Sequence, residues 1–191
     1  MRYLVWALRL TLAVLILAFL HYTLPQYDIV RITGTYEERI GPGENGLFWS
    51  ASDAGNDVVN GSRDVFFIQT RKADGKVMVY RNEDTSSGWP PYFKFDTANL
   101  QAEAVDAIST ADAPKWYALM HYGWRFELMS VFPNAISIRP VEGPDVRVIP
   151  WISIIILVAL AALFWAIRVR WIRFRERQLN PVIDEWTEGW R

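Results

Sequence analysis

The chain has 191 residues, with 20 Lys and Arg against 21 Asp and Glu, two histidines and no cysteine. The missing cysteines exclude disulfides, a disulfide-linked partner and thiolate zinc sites, so any core must stand on packing alone. The near-neutral total conceals a segregation of charge and hydropathy along the chain.

From Tyr3 to Leu24 the sequence is apolar, with Arg9 as its single formal charge. A hydrocarbon core of about 30 Å is crossed by roughly 20 residues of helix, and this run is long enough. A basic start followed by an apolar run also describes a signal peptide. The exit Phe19-Leu20-His21-Tyr22-Thr23-Leu24-Pro25 lacks the small residues of a cleavage site, which favours an uncleaved anchor. Arg9, near the edge of the run, reads as a snorkelling interfacial residue.

Asp28 to Ile40 is β-branched and long enough for a bent strand. Gly41 to Ser62, rich in Gly, Asn, Asp and Ser, reads as a long loop. Asp64 to Arg71 and Lys76 to Asn82 are β-prone runs separated by Lys72-Ala73-Asp74-Gly75, and the Asp-Gly pair predicts a hairpin. After the break at Gly88 to Pro91, Asp96 reads as the N-cap of a helix with Leu100, Ala104, Val105 and Ile108 on one face. Beyond Pro114, Lys115 to Phe126 is aromatic and strand-like. Ala135 to Val141 alternates Ile136 and Ile138 with Ser137 and Arg139.

Val148 to Ile167 forms the second apolar run, with Trp151 and Trp165 at its boundaries. Ala159, Ala161, Ala162 and Ala166 offer a small-residue face for a neighbouring helix or for lipid. Arg168, Arg170, Arg173, Arg175 and Arg177 follow directly, interleaved with Trp171, Ile172 and Phe174, so the helix is expected to continue across the lipid surface until Asn180-Pro181. The last segment carries Trp186 and Trp190, four apart, among acidic residues.

The chain therefore divides into an N-terminus and first span (1–24), a central domain (25–147), a second span (148–167) and a tail (168–191). Basic residues flanking a span tend to stay in the cytoplasm, which predicts that both termini are cytoplasmic. The central domain has 12 Lys and Arg against 17 Asp and Glu, a net of −5, as expected for the opposite side. Its order of strand, strand, strand, helix, strand, strand is that of the five-stranded OB barrel. The expected fold class is an α+β membrane protein: two transmembrane helices flanking a small OB-like β-barrel with one helix.

Four stretches, Lys76 to Asp84, Phe93 to Ala102, Tyr122 to Arg125 and Met129 to Asn134, resemble a family of uncharacterised bacterial membrane proteins. They share a strand ending in an Asn-x-Asp turn, a Lys-Phe-Asp segment entering a helix, and a Ser-x-Phe-Pro-Asn turn before a last strand. The resemblance implies a bacterial inner-membrane protein with a periplasmic domain, and adds no substrate.

No residue set rises to an active site. His21 and His121 lie a hundred positions apart, one in a span and the other in a strand, and with only one His in the central domain a triad or a His-rich metal site would need unusual substitutes. Asp53, Asn56 and Asp57 lack the remainder of a calcium loop. Asn60-Gly61-Ser62 matches a glycosylation sequon that matters only in a eukaryotic secretory pathway. Glu37, Glu38, Glu83 and Asp84 read equally as paired carboxylates or solvated strand ends. The acidic balance excludes nucleic acid as a partner. Candidate contact surfaces are Trp89, Tyr92 and Phe93 on a proline-stiffened loop, Trp124 with Arg125, read mainly as a stacked structural pair, and Trp186 with Trp190. The expectation is a non-enzymatic accessory, scaffold or assembly component without cofactor or metal, meeting the bilayer and other integral membrane proteins; the alternative is a periplasmic ligand-binding or sensing module.

Overall fold

A computed structural model describes residues 2–40, 63–85 and 89–180. Residues 1–149 and 150–191 form two separate compact units. In the first, helix α1 (Arg2–Thr23) leads into strand β1 (Gln26–Ile40), followed by β2 (Arg63–Lys72), β3 (Val77–Asn82), helix α2 (Thr97–Asp106), β4 (Trp116–Tyr122) and β5 (Asn134–Val141). The strands close into a barrel in the order β1-β2-β3-β5-β4. This is the expected OB-like arrangement, with the helix between the third and fourth strands.

Closure requires β1 to serve two neighbours, and its length allows it. Gln26 to Val30 pair with β4, while Val30 to Ile40 pair with β2, and the register shifts between Ile32 and Gly34. A bulge there bends the strand and increases its twist, which is how a sheet curls on itself. The β2–β3 hairpin turns at Asp74-Gly75 as predicted: Gly75 takes φ +84°, and its N–H donates to the Lys72 carbonyl at 2.9 Å. The weakest join is between β3 and β5, which run parallel and share a single paired position, Arg81 with Asn134.

The core combines Val30, Ile32, Ile68, Tyr80, Leu119 and Ala135 of the barrel with Leu100, Ala104 and Ala107 from α2 and its C-cap. Asp96 caps α2 as expected, accepting from the Asn99 N–H at 3.2 Å. The buried face differs from the sequence expectation: Val105 and Ile108 are half exposed, and Ala107 takes their place. The small alanines let the helix sit close to the barrel. Ile108 follows the helix, where the chain already turns back through the Ser109 N–H to the Ile32 carbonyl.

In β5 the simple alternation also fails. The register shifts against β4, with Met120 opposite Ser137 but His121 opposite Ala135, so Ile136 is the extra residue. This bulge turns Ala135 and Ile138 to the core in place of the predicted Ile136 and Ile138. The strand predicted over Lys115 to Phe126 stops at Tyr122, because Gly123 leaves the ladder with φ +90°.

In the second unit, helix α3 (Trp151–Phe174) runs on through a π turn at Arg175–Leu179. Both α1 and α3 with its extension are long and apolar enough to cross a membrane. The expected continuation of the helix past Ile167 is present. The predicted loop over 41–62, with Asp53, Asn56, Asp57 and the sequon at Asn60, and the tail with Trp186 and Trp190 lie outside the described residues.

Candidate functional site at the seam of helix and barrel

A helix leaves its last carbonyls without intrahelical partners. In α1 three of these are taken up by the barrel unit. The Gln26 side chain donates to the His21 carbonyl at 2.7 Å, the Gly123 N–H to the Tyr22 carbonyl at 2.9 Å, and the Tyr92 hydroxyl to the Thr23 carbonyl at 2.5 Å. The donors come from the start of β1, the end of β4 and the loop before α2. Gly123 suits this place because its φ of +90° is left-handed, whereas a Cβ there would meet the Tyr22 ring and the Pro133 backbone only at ordinary contact distance.

Aromatic side chains close the same seam. Trp89, after which the peptide to Pro90 is cis, stacks on Phe19 with ring centroids 5.7 Å apart. Tyr92 stacks on Tyr122, Tyr22 meets Tyr122 and Trp124 edge-on, and the Trp124 indole N–H donates to His21 Nδ1 at 2.9 Å. Tyr122 is thus only 1 % exposed although it lies on the strand face opposite inward-facing His121. Burial pushes the Tyr92 and Tyr122 phenols up, so both stay protonated; the Tyr92 hydroxyl donates, and the Tyr122 hydroxyl accepts from Asn134 Nδ2 at 3.3 Å.

Of the predicted contact residues, Trp89, Tyr92 and Trp124 therefore converge on the end of α1. Phe93 does not join them: it takes φ +51° and stands exposed, as does Phe95. Trp124 and Arg125 do not stack on each other. Arg125 instead lies over the Phe132 ring, 4.1 Å from its centroid, and donates to the Val131 carbonyl at 2.9 Å.

Behind the seam lies a buried polar network that sequence reasoning missed. Asn134 Oδ1 accepts from the Glu83 N–H at 3.0 Å while its Nδ2 donates to the Glu83 carbonyl at 3.1 Å. The amide side chain thus imitates one more rung of the short β3–β5 ladder. Glu83 is not a solvated strand end but a buried carboxylate 3.4 Å from the buried Arg81 guanidinium. Asp84 accepts from the Thr97 N–H and hydroxyl at the start of α2. Lys94 Nζ donates to Asn82 Oδ1 and to the Ala135 carbonyl, and burial lowers its pKa to about 7. These residues come from the segments that carry the family resemblance, which is the signal that could have pointed to them.

A second cluster lies in the barrel wall. Asp28 on β1 accepts from Lys72 Nζ at 2.8 Å and from the Tyr80 hydroxyl, and its Oδ2 is 3.2 Å from His121 Nε2. Burial alone would raise the Asp28 pKa, but the hydrogen bonds from His121, Lys72 and Tyr80 outweigh it and hold the carboxyl well below its ordinary range. Burial and the Asp28 charge push the Tyr80 phenol far up. The cluster keeps one carboxylate ionised, and His121 Nδ1 is buried with no hydrogen-bond partner among the described residues. No group of three or more His, Asp or Glu converges as a metal site among the described residues.

A family model described as a protein of unknown function, DUF1523, matches residues 1–175. The chain belongs to this family. An uncharacterised protein of Haemophilus influenzae is 39 % identical over 149 residues, which cover 78 % of this chain and 80 % of that protein. No solved structure matches the chain. The DUF1523 match takes in α1, the whole seam, the barrel and α3, but ends before Trp186 and Trp190.

Proposed function

We propose that this DUF1523 protein is a two-span protein of the bacterial inner membrane, with both termini cytoplasmic and the OB-like barrel in the periplasm. In this reading it is a non-enzymatic accessory, scaffold or assembly component of a larger membrane complex. The capping of three α1 carbonyls by barrel groups carries the reading. Helix and barrel are locked as one body, so a spanning α1 holds the barrel at a set tilt and height over the bilayer. A part that must meet membrane neighbours in one orientation needs such a joint; a barrel acting alone on a soluble substrate does not. The seam also argues for retention of α1, because cleavage behind it would strip Tyr22 and Thr23 from their partners. Phe93 and Phe95, each more than 60 % exposed near the seam, offer apolar contact to a neighbour.

The test is photocrosslinking from position 93 or 95 in intact membranes, followed by mild detergent extraction and affinity isolation. The expected result is recovery of the same integral membrane proteins in stoichiometric amounts by both routes. A clean monomer in several detergents, with no crosslinked neighbour, would overturn the reading.

A further inference from the structure

On α3 and its extension, Trp165, Ala166, Val169, Arg170, Arg173, Phe174, Arg177 and Gln178 line an open groove of about 580 Å³. Its chemistry changes along its length. Positions 165 to 169 contribute only apolar and aromatic side chains, whereas positions 170 to 178 contribute three arginines. At about 100° per residue, Arg170, Arg173 and Arg177 fall within roughly 60° of arc, while Arg168 and Arg175 lie on the far side of the helix. Glu176, the one carboxylate between Trp151 and Leu179, does not line the groove. Among the described residues no carboxylate pairs with the three arginines. Three like charges on one helical face repel one another, and an anion among them removes that repulsion. The π turn at Arg175–Leu179 widens the helix where Arg177 and Gln178 join the groove, a distortion frequent at functional sites.

We infer that the groove is a binding site for an anionic phospholipid, with the headgroup phosphate held by Arg170, Arg173 and Arg177 and an acyl chain laid along Trp165, Ala166 and Val169. Guanidinium groups match phosphate oxygens in bidentate fashion. A free phosphate would use only the cationic half, and a neutral lipid only the apolar half. An anionic lipid uses both, and its phosphate then sits at the depth where the apolar run ends. This inference rests on α3 spanning the membrane.

The full chain, purified in detergent, is mixed with equal amounts of phosphatidylglycerol and phosphatidylcholine of matched acyl chains, and bound lipid is read by native mass spectrometry. Adducts of phosphatidylglycerol should dominate, and the preference should fall by roughly fivefold for each arginine removed in R170Q, R173Q and R177Q combined. The double variant R168Q and R175Q should keep most of it, and excess inorganic phosphate should not displace the lipid. Equal preference in the two variants, displacement by phosphate, or a gain of adducts only after deletion of residues 182–191 overturns the proposal, the last by assigning the groove to the acidic tail. Alkaline carbonate extraction separates the two ideas: release from the membrane overturns the spanning reading and this one together, whereas retention without lipid preference overturns this one alone.

Discussion

Replacing Asn134 by Ala removes the side chain that stitches β3 to β5. That join has one backbone pair, and Asn134 extends it by accepting from the Glu83 N–H and donating to the Glu83 carbonyl. Asn134 is fully buried, so water cannot replace the lost bonds. Each buried backbone group left unpaired costs about 1–3 kcal/mol, which makes a loss of about 3–5 kcal/mol reasonable for the pair. A domain of ordinary stability holds only about 5–15 kcal/mol. At about 2–8 °C per kcal/mol the melting temperature should fall by about 6 °C or more. The assay is thermal unfolding of the detergent-solubilised full chain by tryptophan fluorescence, for which the sequence supplies ten reporters. Ser137→Ala, on the exposed face of β5, serves as the control and should stay within about 0.5 kcal/mol of the parent. A shift under about 2 °C for Asn134→Ala would refute the reasoning, since closure would then rest on the remaining strand contacts.

Other consequences concern the two polar clusters, the seam and the topology. Asp28 binds fewer protons folded than unfolded near its ordinary pKa, so its contribution is present above about pH 5 and is lost as pH falls through the carboxylate range. Asp28→Asn should cost about 1.5–3 kcal/mol at pH 7 and flatten the acid limb of the stability profile; an unchanged acid limb would count against the cluster. Lys94 has the opposite chemistry but the same sign: with its folded pKa near 7 and the unfolded value at 10.5, the unfolded chain binds more protons between those limits, so stability rises with pH there. Lys94→Met should remove that rise, and a persisting slope would mean that the folded state keeps Lys94 charged. Gly123→Ala forces a side chain onto a left-handed backbone and should cost about 1–3 kcal/mol, seen as a lower melting temperature and faster proteolysis near Leu24; equal behaviour to the parent would remove the seam's energetic role. Because the chain has no cysteine, D112C and Q178C report topology directly. An impermeant maleimide added to spheroplasts should label position 112 and spare 178, and the reverse pattern would invert the proposed orientation.

Features encoded among near neighbours were legible from residue order. Asp74-Gly75 specifies a hairpin because glycine tolerates the left-handed turn, Asp96 caps the helix because its carboxylate reaches the Asn99 N–H, and two apolar runs are long enough to span a bilayer. Together with the order of strands and helix, these determined the OB-like architecture. Trp89 and Tyr92 stood out as large aromatics on a proline-stiffened loop, and Trp124 as a large aromatic beside Arg125. What they touch was not legible, since residues 69 and 103 positions away from α1 meet its end only after the barrel has closed. The bulge at Ile136 and the burial of Ala107 in place of Val105 and Ile108 depend on how one strand slips against another and on where the chain turns into Ile32. The amide of Asn134 standing in for a missing backbone rung is a decision of the same kind. Hydropathy and turn chemistry act over one to four residues and so are written along the chain. Closure of the barrel and capping of α1 are satisfied by whichever distant groups arrive, and only the tertiary structure decides which those are.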